Sequence, residues 1–124
     1  MGEIIQISCA QCGSSWDLKT GYGLSHGRKE NLISEFPIEM NALVKELLDG
    51  EVDPYFAFRE ATCKVCHNCV SVPVLSKGAE GEILAVGMCP ICGSNRVELP
   101  LDNSILCPRC KKADLDLTWI GHWD

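Results

Sequence analysis

Cys89-Pro90-Ile91-Cys92-Gly93 and, after 13 intervening residues, Cys107-Pro108-Arg109-Cys110 are the stretches whose reading decides the fold. A two-residue spacer lets both sulfurs of a pair face one point, and Pro90 and Gly93 favour the tight turn that aims backbone N–H groups at them. Four thiolates on two such loops can close a tetrahedral site around one metal ion, with Zn²⁺ the leading candidate. Cys89, Cys92, Cys107 and Cys110 are therefore expected to share a site.

Five further cysteines lie upstream. Cys9-Ala10-Gln11-Cys12-Gly13 repeats the knuckle pattern, while Cys63-Lys64-Val65-Cys66-His67-Asn68-Cys69 offers three thiols for two places. At the downstream knuckles an apolar residue, Met88 or Leu106, precedes the first cysteine, which favours Val65 over Thr62 in that role. That register joins Cys66 and Cys69 to Cys9 and Cys12 and leaves Cys63 as the odd thiol; the alternative uses Cys63 with Cys66. His67, inside the knuckle, is expected to turn its ring outward.

Length and composition agree with metal crosslinks. The chain has 124 residues, 46% hydrophobic but only 6% aromatic, so its core is thin on bulky filler that bound metal would replace. The first residues contain no basic region followed by an apolar run, so nine cysteines imply metal in a reducing cytoplasm rather than an extracellular disulfide framework. No stretch approaches the roughly 18 apolar residues of a membrane helix, and a soluble protein is expected.

Short strands are predicted around the knuckles: Ile4, Ile5 and Ile7 before Cys9, Trp16 and Leu18 after it, Val70, Val72 and Val74 after Cys69, and 83–88 before Cys89. Alternation predicts two more, over 96–101 and through Leu115, Leu117 and Trp119, with Trp119 covering the core and a turn at 102–104. Gly21 and Gly23 read as turn glycines, and His26 in the same loop as a solvated side chain. Between these strands Met40, Leu43, Val44, Leu47 and Leu48 recur at helical spacing, so 37–49 is expected to be an amphipathic helix. The surrounding 30–60 segment carries eight acidic and two basic side chains, which equals the net charge of −6 of the whole chain. The charge is concentrated in one insert.

Cys89-Pro90-Ile91-Cys92-Gly93 and Cys107-Pro108-Arg109-Cys110, with strands between and after, resemble the zinc-ribbon, or rubredoxin-like, superfamily, in which two knuckles on β-hairpins hold one metal. The resemblance implies a small metal-stabilised α+β fold of two ribbon modules. The first would span 1–75, interrupted by the helical insert at about 30–60, and the second 76–124. It implies metal binding and leaves function open, because ribbons serve transcription, translation, enzymes and adaptors alike.

Two Zn²⁺ ions, each closed by four cysteines, leave no position for water or substrate, and no nucleophile–base set is visible. The expectation is a non-catalytic protein-interaction or adaptor module. Its acidic insert, through Glu39, Glu46 and Asp49, would face a basic protein partner. Nucleic-acid binding is the alternative, with Arg96, Arg109, Lys111 and Lys112 as the basic cluster, but the acidic balance opposes it. Iron in one or both sites, with electron transfer, is a second alternative, since spacing does not separate Fe from Zn.

Overall fold

The computed structural model describes residues 2–23, 28–50, 54–78, 81–99, 107–111 and 115–123. His26, Lys112 and the 102–104 turn lie outside them.

Strand β1 (Gly2–Ser8) enters the first knuckle and β2 (Ser15–Thr20) leaves it, paired antiparallel with Ile5 opposite Leu18 and Ile7 opposite Trp16. Ile5, Ile7 and Leu18 point to one side and are buried with Cys69, as alternation along a half-buried strand requires. The next hairpin, β3 (Tyr55–Cys63) and β4 (Cys69–Ser76), repeats the plan around the second knuckle. Its alternation divides two cores. Phe56 and Phe58 face the helical insert, whereas Ala61, Cys63, Val70, Val72 and Val74 form the other layer.

The downstream strands do not make a module of their own. β5 (Ile83–Val86) pairs with β4, the two-residue β6 (Val97–Glu98) pairs with β3, and β7 (Asp116–Trp123) pairs with β1. The result is a three-stranded sheet of order β2-β1-β7 and a four-stranded sheet of order β5-β4-β3-β6, all antiparallel. The expected division at 75/76 is thus crossed by pairing of the downstream strands with upstream ones. In both sheets the first strand of the hairpin pairs with the strand that follows a downstream knuckle, so β2-β1-β7 and β4-β3-β6 are copies of one topology. The second copy lies wholly inside the sequence of the first.

The helix expected over 37–49 is found over 38–48, opening on a 3-10 turn, and the helical region holds a further helix that was not expected. The region contains α1 (Lys29–Glu35), a 3-10 turn (Ile38–Met40) and α2 (Asn41–Leu48). Pro37 explains the break: its ring disfavours helical geometry in the preceding residue, and Phe36 is extended at φ −99 and ψ 154. Leu32, Phe36, Val44 and Leu48 pack on Phe56, Phe58, Leu75 and Ala85. No helix among the described residues is long and apolar enough to cross a membrane.

A string of edge-to-face aromatic contacts ties insert and sheets together. Phe36 meets Phe56, Phe56 meets Phe58, and Phe58 meets Trp123, with centroids 6.2, 5.4 and 5.7 Å apart. Trp123 lies on Gly2, where a Cβ would strike the indole, and donates its Nε1–H to the Thr20 carbonyl at 2.9 Å. Gly21 and Phe58 exchange two backbone hydrogen bonds of 3.0 and 2.7 Å, which join the sheets directly. Trp119, expected as core cover, is instead 53% exposed on the edge strand β7. Trp123→Ala should therefore cost about 3 kcal/mol, whereas Trp119→Ala should stay within about 0.5 kcal/mol. Urea unfolding of the metal-loaded variants checks both values.

Candidate metal centres

All four CxxC turns share one backbone device. The residue after the second cysteine donates its N–H to the carbonyl of the first: Gly13 to Cys9, His67 to Cys63, Gly93 to Cys89 and Lys111 to Cys107, at 2.9–3.0 Å. That residue has positive φ each time, +75° at Gly13, +56° at His67, +76° at Gly93 and +58° at Lys111. Glycine takes this conformation freely, histidine tolerates it, and a β-branched residue is strained by it. This fixes the register of the ambiguous cluster. A knuckle built on Cys66 and Cys69 would force Val70 into the left-handed region, whereas one built on Cys63 and Cys66 puts His67 there.

Two clusters of thiols follow: Cys9, Cys12, Cys107 and Cys110, and Cys63, Cys66, Cys89 and Cys92, each with its sulfurs within 4.8 Å of one another. The expected groupings, Cys9/Cys12 with Cys66/Cys69 and Cys89/Cys92 with Cys107/Cys110, are corrected. The physical reason lies in the strands, since β7 returns to β1 and carries its knuckle to the first one, and β6 does the same for β3. Cys63 enters a cluster and Cys69 does not. Cys69 is 1% exposed among Ile5, Ile7 and Leu18, and burial first, then the neighbouring Cys107, pushes its thiol up to about 12.

Within the clusters the closest sulfurs are Cys9–Cys110, Cys12–Cys107 and Cys63–Cys92 at 3.6 Å and Cys66–Cys89 at 3.7 Å. Zn–S bonds of ~2.3 Å in a tetrahedron place sulfurs ~3.8 Å apart, so these donors fit a four-coordinate ion with little adjustment. In each knuckle the first cysteine is buried and the second is exposed or half-buried. Either cluster could hold a metal ion.

Polar groups around the sulfurs favour the thiolate form at two positions. The Ser14 hydroxyl, 3.3 Å from Cys12 Sγ, and the Ser14 N–H bring the Cys12 thiol down to about 6. At Cys63 burial opposes ionisation, but the backbone N–H groups of Cys66 and Val65 prevail and bring it down to about 7. The Cys66 N–H lies 3.5 Å from Cys63 Sγ. Such donors also orient thiolates on a metal.

The residues that sequence reading missed are Ser14 and Asn68. Asn68 Oδ1 accepts hydrogen bonds from Trp16 Nε1 at 3.1 Å and from Arg109 at 2.8 Å, while Arg109 also donates to Ser14 Oγ at 3.2 Å and stands over the Trp16 ring. Asn68 follows one cluster's knuckle and Arg109 belongs to the other's, so this small network braces the two centres against each other. No periodicity marks it; only the fold brings the four residues together. Arg109 is thus engaged with Ser14, Asn68 and Trp16, while the Arg96 carbonyl accepts from the Lys64 N–H beside the other centre. Of the acidic residues expected to meet a partner, Asp49 pairs with Lys29 at 3.3 Å, Glu46 is exposed on α2, and Glu39 lines a groove.

Comparison with protein-family models, curated proteins and solved structures found no match. The two centres therefore rest on their own geometry. Cys69→Ser should keep two metal ions per chain, and Cys63→Ser should keep only one, as read by elemental analysis of purified protein. The reverse pattern would restore the Cys66/Cys69 knuckle.

Proposed function

We propose that this chain is a non-catalytic protein-interaction module of zinc-ribbon type, held together by two structural Zn²⁺ ions. The observation that carries this reading is the pair of closed four-cysteine clusters with sulfurs at tetrahedral spacing. Four thiolates satisfy the ion's usual coordination, so the metal's contribution is crosslinking rather than activation of a bound water. Thiolate softness favours zinc over hard cations, and the affinity order of divalent ions sets zinc above ferrous iron.

The acidic balance supports a protein partner over nucleic acid. The net charge is −6, and two Zn²⁺ ions on eight thiolates would add about four negative charges to it. Arg109, one of the basic side chains expected to grip phosphates, is engaged at Ser14, Asn68 and Trp16.

Elemental analysis of untagged protein should give two zinc ions per chain and a colourless solution. A chelator that strips both should abolish cooperative unfolding, since structural zinc sites in small domains contribute on the order of 10 kcal/mol. Visible sulfur-to-iron absorption, or a fold that survives chelation, would contradict the proposal.

A further inference from the structure

A groove of about 810 Å³ runs between the helical insert and the 89–93 knuckle. Leu18, Phe58 and Val70 are among the buried apolar residues that line it, with Phe36 and Pro37 from the insert and Met88 and Ile91 from the knuckle. Ile91 is 62% exposed, an apolar side chain at a knuckle tip that the protein's own cores do not use. Asp17, Glu35 and Glu39 line the same groove against one cation, Lys19. Lys19 Nζ stands over the rings of Phe58 and Trp123, at 4.2 and 5.1 Å from their centroids, so its charge already has aromatic partners.

We propose that this groove binds a basic peptide segment, one apolar side chain of which inserts between Phe36 and Ile91 while flanking Lys or Arg residues meet Asp17, Glu35 and Glu39. The inference rests on the reading of the chain as an interaction module and names its partner's chemistry. A small-molecule site is the weaker match, because such sites combine an apolar lining with buried polar groups aimed inward. Among the described residues no buried side-chain nitrogen or oxygen lacks a partner. What the groove offers instead is an apolar floor with an acidic charge balance, which suits an apolar anchor flanked by cations.

One wall carries Cys89 and its neighbours, so the metal bound by Cys63, Cys66, Cys89 and Cys92 would hold that wall in place. Peptide and metal are then linked: loss of that ion weakens the peptide, and the peptide strengthens retention of the ion by the same factor. Screening makes the association weaken as salt rises.

The test pans a random-peptide phage library on the metal-loaded full chain and titrates the selected peptides by fluorescence polarisation. Selected sequences should carry Lys or Arg around an aliphatic or aromatic residue. Ile91→Ser, and the triple variant Asp17→Asn, Glu35→Gln, Glu39→Gln, should each weaken them at least about tenfold, whereas Glu46→Gln and Trp119→Ala should change affinity by less than about twofold. All variants should keep two metal ions, which separates lost binding from lost folding. Selection of acidic peptides, selection of none, or affinities unmoved by the groove variants would overturn the inference while the two-metal reading stands. A wild-type chain holding fewer than two ions would overturn both, and elemental analysis reads that outcome independently.

Discussion

Four sulfurs within 4.8 Å of one another place a strict demand on a protein interior. As thiolates they repel: two unit charges at ~4 Å interact by about 4 kcal/mol at an effective dielectric of 20, and each cluster contains six such pairs. A divalent cation at the centre turns that repulsion into attraction, so the same arrangement becomes the strongest crosslink in the molecule once a metal is bound. The rest of the fold is organised to satisfy it. Left-handed residues close each knuckle, and Ser14 and the Cys66 N–H meet sulfurs from outside. The strands bring the knuckles together in pairs.

The nested topology gives the two centres unequal tasks. Cys63 and Cys92 are 29 residues apart, so their cluster closes a short span of chain. Cys12 and Cys107 are 95 apart, and their cluster closes nearly the whole chain around the first. The entropy of closure rises only slowly with loop length, so the longer span is affordable, but its strands form contacts that are distant in sequence. The inner module carries its own hairpin, third strand and half of the aromatic string. The outer one depends on it through the Gly21–Phe58 exchange, through Trp123 against Phe58 and through Arg109 on Asn68.

What depends on neighbouring residues was legible in the sequence. The four CxxC turns, the strands that enter and leave them, and the helical content of the insert all follow from spacing and alternation. The grouping of the knuckles was not, because any two of them could chemically share an ion and only strand pairing selects among them. The choice between Cys63 and Cys69 was written in the sequence at a different position from the one read. The residue after the second cysteine must accept positive φ, and His67 meets that demand where Val70 does not. Pro37 does open a helical run, as the N-cap of the Ile38–Met40 turn, and it also ends α1, the helix that periodicity did not pick out. Trp119 and Trp123 could not be told apart by alternation, since burial there depends on β7 being an edge strand with Gly2 opposite Trp123.

The central claim is that the knuckles close crosswise, first with last and second with third. Replacing the native ions with cadmium-113 and recording scalar couplings from each metal to cysteine Hβ protons identifies the ligands of each ion directly. The account predicts two cadmium resonances, one coupled to Cys9, Cys12, Cys107 and Cys110 and the other to Cys63, Cys66, Cys89 and Cys92. A single resonance coupled to Cys89, Cys92, Cys107 and Cys110 together, or any coupling to Cys69, would contradict it.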